Sequence, residues 1–141
     1  MNHLSDLGGF REVRNDELRP GFVRNVVTVP PEAANLYRAA HGGFLMQLVD
    51  VASCMAAWSL GRRVVTQQVS LNFVHEVRLG DTATIEAEVV HSGNSTVLIE
   101  AAIRDSTGRI CLLSTAMLFV IGFVQPDDPL PEPYLGRNPG V

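Results

Sequence analysis

Two periodicities divide the chain. From Gly42 to about Leu60 no Lys, Arg or Glu interrupts GGFLMQLVDVASCMAAWSL, and apolar side chains from Phe44 to Trp58 fall on every side of a helical wheel. A helix that is apolar all round predicts a buried helix. After Gly61 the period switches to two. In DTATIEAEVVH, Ala83, Ile85, Ala87 and Val89 alternate with Thr82, Thr84, Glu86 and Glu88; in STVLIEAAIRD, Val97, Ile99, Ala101 and Ile103 face away from Thr96, Leu98, Glu100 and Arg104. SGN and DSTG supply turns after these runs. With VVTQQVSLNFVHEV before them and RICLLSTAMLFVIG after them, the pattern predicts four antiparallel strands. Upstream, GFVRNVVTVPP reads as one more strand, ending before Pro30. PEAANLYRAA is then a loop or short helical turn that delivers His41.

A membrane-spanning reading of the apolar helix fails on its polar residues. Asp50 at the centre of a span would cost about 2.5 to 3.5 kcal/mol, before Gln47, Ser53 and Ser59 are counted. A sheet with one dry face needs a cover, and this helix is the cover the sequence offers. The predicted fold class is therefore α+β, an antiparallel β-sheet wrapped around one long central apolar helix. Along MLFVI both faces of the last strand are apolar, which predicts that its far end is covered twice. The domain spans residues 21–122, after an N-terminal segment at 1–20. Residues 123–141 form a tail with five of the eight prolines, which cannot join a sheet interior.

Composition narrows the function classes. At 141 residues and 46% hydrophobic the chain suits one domain. A net charge of -4 and a pI near 5.5 argue against nucleic acid, whose recognition needs a basic face. The opening MNHLSDLGGF has no basic region followed by an apolar run. Cys54 and Cys111 lack metal-ligand spacing and fit a reducing compartment. The expectation is a cytoplasmic protein with no metal and with neither nucleic acid nor membrane as partner.

The candidate chemistry lies where HGG opens the helix. First-turn N–H groups are free of intrahelical partners and sit at the positive end of the helix dipole, so Gly42 is positioned to donate to an oxyanion. Glycine also lets a substrate carbonyl approach the backbone closely. Asp50 follows His41 by nine positions, with no cation along its own helix. A buried carboxylate without a partner resists ionisation and gains basicity, which suits a general base or a nucleophile.

Asn35, then HGG at 41–43, then Asp50, then a hydroxyl at Thr66 in the following strand resembles the PaaI-like acyl-CoA thioesterases of the hotdog fold, over about Gly21 to Ile121. The resemblance implies a homodimer or dimer of dimers in which the helices of two subunits pack side by side and share each site. Asn35, His41 and Gly42 would come from one chain, and Asp50 and Thr66 from the other. The substrate would be an acyl-CoA, with coenzyme A as part of the substrate and no separate cofactor. Asp50 would activate water or attack the thioester while Gly42 N–H polarises the carbonyl. Thr66 would orient Asp50 or the water, Asn35 would position water or substrate, and His41 would shape the loop. Strict alternation puts Thr66 on the face of Ser70 and Asn72, so reaching the helix requires a bulge. Arg38, Arg62, Arg63 and His75, with Arg78, are candidates for the phosphates of coenzyme A. Many members of the family carry glycine where this chain has Arg38. Cys54 reads as packing. A hotdog hydratase or dehydratase, and a non-catalytic acyl-CoA-binding module, remain as alternatives.

Overall fold

The computed structural model describes residues 13–126 and 128. Its strands are β1 (Arg14–Arg19), β2 (Phe22–Thr28), β3 (Arg62–Phe73), β4 (Thr82–Ser92), β5 (Thr96–Arg104) and β6 (Ile110–Phe123). One helix, α1 (Gly42–Trp58), links β2 to β3. All strand pairs are antiparallel and the order across the sheet is β1-β2-β4-β5-β6-β3. Because α1 leaves from near one edge and returns to the other, it crosses the whole sheet. The alternating residues of β4 and β5 meet it as expected: Ile85, Ile99 and Ile103 join Leu112, Leu118, Leu48 and Met55 in the fully buried core.

The helix stops where its backbone is turned. Gly61, at φ 81, adopts the left-handed conformation that ends a helix at little steric cost and releases the chain into β3. Ser59 ties that end to the sheet. Its hydroxyl donates to the Ala56 carbonyl at 2.6 Å and accepts the Gly21 N–H at 2.8 Å.

Three expectations need correction. The sheet has six strands rather than five, because β1 lies in the segment assigned to residues 1–20, outside the domain. Its sequence, RNDELR, has no apolar alternation to announce it. Polar contacts supplement its backbone ladder to β2: Asn15 Nδ2 donates to Asn25 Oδ1 at 2.9 Å, and Arg24 spans Glu17 at 3.0 Å and Glu86 at 2.8 Å.

Second, among the described residues the far end of β6 is not covered twice. Phe119, Ile121 and Phe123 are 43%, 58% and 64% exposed.

Third, α1 is not buried all round. Phe44, Leu45, Leu48, Val49, Ala52, Met55 and Ala56 are buried, whereas Gly43, Met46 and Gln47 are exposed and Asp50, Cys54 and Trp58 half-buried. Those spacings of three and four mark one open stripe. Asp50 lies in its middle.

Leu48→Ala removes a side chain 1% exposed from the contact between α1 and the sheet. It should destabilise the fold by about 2 to 5 kcal/mol, read as a lower urea midpoint. An unchanged midpoint would refute the packing described.

Candidate active site

Asp50 owes its environment to a defect in the neighbouring strand. β3 pairs with β6 in register from Val64↔Val120 through Thr66↔Leu118, but the next pair is Gln68↔Met117, so Gln67 is the extra residue of a bulge. The bulge puts Thr66 on the helix side, with Val69 and Leu71. Thr66 Oγ1 donates to Asp50 Oδ1 at 2.6 Å. The carboxylate is thus half-buried and hydrogen-bonded rather than buried and unpartnered, and its partner comes from the strand. Cys54 Sγ lies 3.9 Å from the same hydroxyl. Burial, and secondarily the charge of Asp50, push the Cys54 thiol up to about 11, so it is a protonated packing group at neutral pH.

Beside Asp50 runs a groove of 240 Å³ lined by Met46, Gln47, Val69 and Leu71. Gln47, Val69 and Leu71 were not read as site residues from the sequence. Gln47 was discoverable three positions before Asp50 on the same helix face, whereas Val69 and Leu71 become neighbours of Thr66 only through the bulge.

The second half of the site is the entrance to α1. The loop before it is closed by the Ala34↔Ala40 bridge and by Asn35 N–H donating to Ala39 O at 2.7 Å. Arg38 N–H donates to Asn35 O at 3.0 Å, making a tight turn. Asn35 Oδ1 accepts the Tyr37 and Ala39 N–H groups at 2.9 and 3.1 Å. The side-chain oxygen therefore holds the loop, and the Nδ2 group is the donor it offers outward. His41 occupies the N-cap, is exposed, and makes no side-chain cap hydrogen bond. No side chain at the N-cap competes for the first-turn N–H groups. A Cβ built on Gly42 would touch the Phe73 ring at 3.5 Å, so Phe73 forms one wall beside that N–H.

The turn ends with Arg38 at φ 62, the one non-glycine residue with positive φ among the described residues. A tight turn followed by a left-handed residue is a hairpin geometry whose third position favours glycine. Holding arginine there costs about 1 kcal/mol or more.

Within one chain the halves do not meet. Gly42 and Asp50 are eight residues apart, about 12 Å along the helix axis. The basic candidates are also dispersed, since Arg38 precedes α1 and Arg62 and Arg63 follow it. Arg62 Nη1 donates to Gly93 O at 2.7 Å, and its guanidinium lies 5.8 Å from the Phe123 ring centre. Arg63 is exposed beside a 340 Å³ groove that Cys54 and Trp58 also line. Arg78 pairs with Glu76 at 2.8 Å.

The His75 ring Nδ1 lies 2.9 Å from Glu76 O, and the side chain clusters with Asp105 and Cys111, ligand atoms within 4.8 Å of one another. Both Asp105 oxygens already accept donors. Oδ1 takes the Thr107 hydroxyl and the Thr107 and Arg109 N–H groups, and Oδ2 the Arg109 guanidinium. The cluster locks the β5–β6 turn.

A sheet wrapped around one helix, with an acid and a hydroxyl paired on the helix's open stripe, is the architecture of the hotdog-fold thioesterases. Residues 37–112, more than half of the chain, match the thioesterase superfamily, and the chain belongs to it. It is 34% identical over 76 residues to the acyl-coenzyme A thioesterase PaaI of Escherichia coli, covering 54% of each chain. Its structure is similar to that of a hypothetical thioesterase from Streptococcus pneumoniae solved with coenzyme A, at 33% identity and a TM-score of 0.81, covering 83% of this chain and 91% of the other. A Streptococcus mutans protein bound to acetyl-CoA is similar at 29% identity and a TM-score of 0.80, covering 88% and 100%.

The Asp105 turn has a pH signature. The Thr107 hydroxyl first, with the Arg109 and Thr107 N–H groups and the Arg109 guanidinium, holds the carboxyl down at about 2 against an ordinary 3.8. A depressed carboxyl adds stability above its unfolded value and loses it as pH falls through the folded value. Asp105→Asn should lower the urea midpoint at pH 7 and converge on the parent near pH 2. A difference that stays constant across that range would refute the lock.

Proposed function

We propose that the protein hydrolyses acyl-CoA thioesters to the free acid and coenzyme A, at a site completed by a second copy of the chain. The observation that carries the reading is the separation of a prepared acid from a prepared oxyanion donor. Asp50 is oriented by Thr66 on an open stripe above an apolar groove, and Gly42 presents its N–H about 12 Å away. An identical stripe laid alongside brings one chain's Gly42 to the other's Asp50. The edge position of β3 supports this, since its outer backbone groups are open to another strand. Further support comes from the pneumococcal relative, which has been solved with an aspartate and, separately, a threonine replaced by alanine. Those positions are sixteen apart, as Asp50 and Thr66 are.

The chemistry follows from these groups. The thioester carbonyl oxygen accepts the Gly42 N–H, which stabilises the negative charge that develops as the carbon becomes tetrahedral. Asp50 takes a proton from water, and the resulting hydroxide adds to that carbon. When the intermediate collapses, the C–S bond breaks and the sulfur receives the proton from Asp50, leaving acid and thiol. Thr66 keeps one carboxylate oxygen occupied and so fixes the other for proton transfer. Asn35 Nδ2 donates to the water or the substrate.

Free-thiol release from a panel of aromatic and aliphatic acyl-CoA thioesters should be detectable in the parent. Asp50→Asn should slow it by about 10²- to 10⁴-fold with the fold intact. Thiol release by Asp50→Asn at the parent rate would remove Asp50 as the base, and parent protein that binds acyl-CoA but releases no thiol would make it a binding module. Sharing of the site has its own test. Inactive Asn35→Ala and Asp50→Ala chains, refolded together, should recover partial activity because a mixed dimer rebuilds one intact site. Confirmed mixed dimers without activity would contradict the shared site.

A further inference from the structure

We infer that Arg38 binds a phosphate of the coenzyme A nucleotide, so that the loop beside Gly42 reads the leaving-group end of the substrate. This rests on the acyl-CoA reading above and adds to it the residue that recognises the nucleotide.

Arg38 occupies a left-handed turn position where glycine is the easy choice, so the side chain must do something that glycine cannot. It is exposed at a loop tip where Leu36 is 98% and Tyr37 80% exposed. It does not close an ion pair among the described residues. Its neighbour across the Ala39↔Arg78 bridge does, since Arg78 is neutralised by Glu76. Among the described residues Arg38 is therefore a cation without an ion-pair partner at this end of the helix.

The loop base is rigid. Arg38 N–H is held by Asn35 O, Arg38 O accepts the Leu79 N–H at 2.8 Å, and Asn35 clamps the turn through two further N–H groups. A planar guanidinium presented from a fixed base favours bidentate capture of a phosphate.

Position decides which part of the substrate it meets. With the thioester carbonyl at Gly42 of one chain and the acyl group directed to the groove of Met46, Val69 and Leu71 beside the second chain's Asp50, the proposed arrangement leads the leaving group past the exposed loop tip that carries Arg38. Coenzyme A carries its diphosphate and 3′-phosphate at that end. A chain of net charge -4 has need of a local cation to hold them.

The test compares the full chain with Arg38→Gly and Arg38→Lys. Glycine suits the turn, so Arg38→Gly should melt a few degrees higher. Its dissociation constant for free coenzyme A, measured by calorimetry, should rise about tenfold, with less of a rise at 0.5 M salt. Arg38→Lys should retain part of the affinity, and Arg104→Ala, which removes a cation from the outer sheet face, controls for net charge. For acyl thioesters, the ratio of kcat/KM on the coenzyme A ester to that on the N-acetylcysteamine ester should fall by a similar factor in Arg38→Gly.

3′-Dephospho-coenzyme A separates the two phosphate sources. Parent protein that binds it as weakly as Arg38→Gly binds coenzyme A assigns the 3′-phosphate, while an equal loss for both ligands assigns the diphosphate. The inference is overturned if Arg38→Gly binds coenzyme A within twofold of the parent, if pantetheine binding falls by the same factor, or if the parent does not bind coenzyme A. Parent protein that binds coenzyme A through Arg38 yet hydrolyses neither ester refutes the hydrolase reading and leaves this inference standing.

Discussion

One helix has to cover one sheet, and it is too narrow to do so and be covered itself. Strands β2 to β6 offer α1 an apolar face, and α1 answers with Leu45, Leu48, Val49, Ala52, Met55 and Ala56. Burial of that face is the dominant stabilising term for a chain of this size. What remains is the opposite stripe, from Gly43 through Met46, Gln47 and Asp50 to Trp58, with no element of the described chain above it. An exposed stripe of this composition would be a liability on an isolated molecule. On a self-associating one it is a surface for chemistry.

The proposed site inherits its division from that constraint. Helical geometry fixes Gly42 and Asp50 on one rigid rod, so no loop motion within a chain can bring them together. Each half is finished locally instead. The β3 bulge supplies Thr66 to Asp50, and the Asn35 side chain shapes the turn that leads to His41 and Gly42. Both devices depart from regular structure at a functional position, the bulge by one extra residue and the turn by a left-handed arginine.

The fold was legible where apolar periodicity was strong. The α1 start at Gly42 and the four strands after it follow directly from the patterns of GGFLMQLVDV, ATIEAEV and VLIEAAI. Strand β1 was not legible because RNDELR joins an edge through backbone bonds and charged side chains, which leave no period of two. Burial of α1 was overestimated because composition shows which residues are apolar but not how much cover the rest of the chain provides. The need for a bulge at Thr66 could be stated from alternation alone, but its position at Gln67 could not. Asp50 stood out in the sequence by its lack of a helical cation. Its hydroxyl partner, Thr66, was named through the family resemblance rather than from spacing, and the strain at Arg38 is a fact of three-dimensional register.

The central claim is that a thioester lies between the N–H of Gly42 in one chain and the side chain at position 50 in another. A crystal structure of the slowed Asp50→Asn protein with an intact acyl-CoA tests it most directly. The account predicts the thioester carbonyl oxygen within about 3 Å of Gly42 N of one protomer. It also predicts the carbonyl carbon facing the position-50 side chain of the partner. A thioester bound with both groups drawn from one chain, or seated away from Gly42, would contradict it.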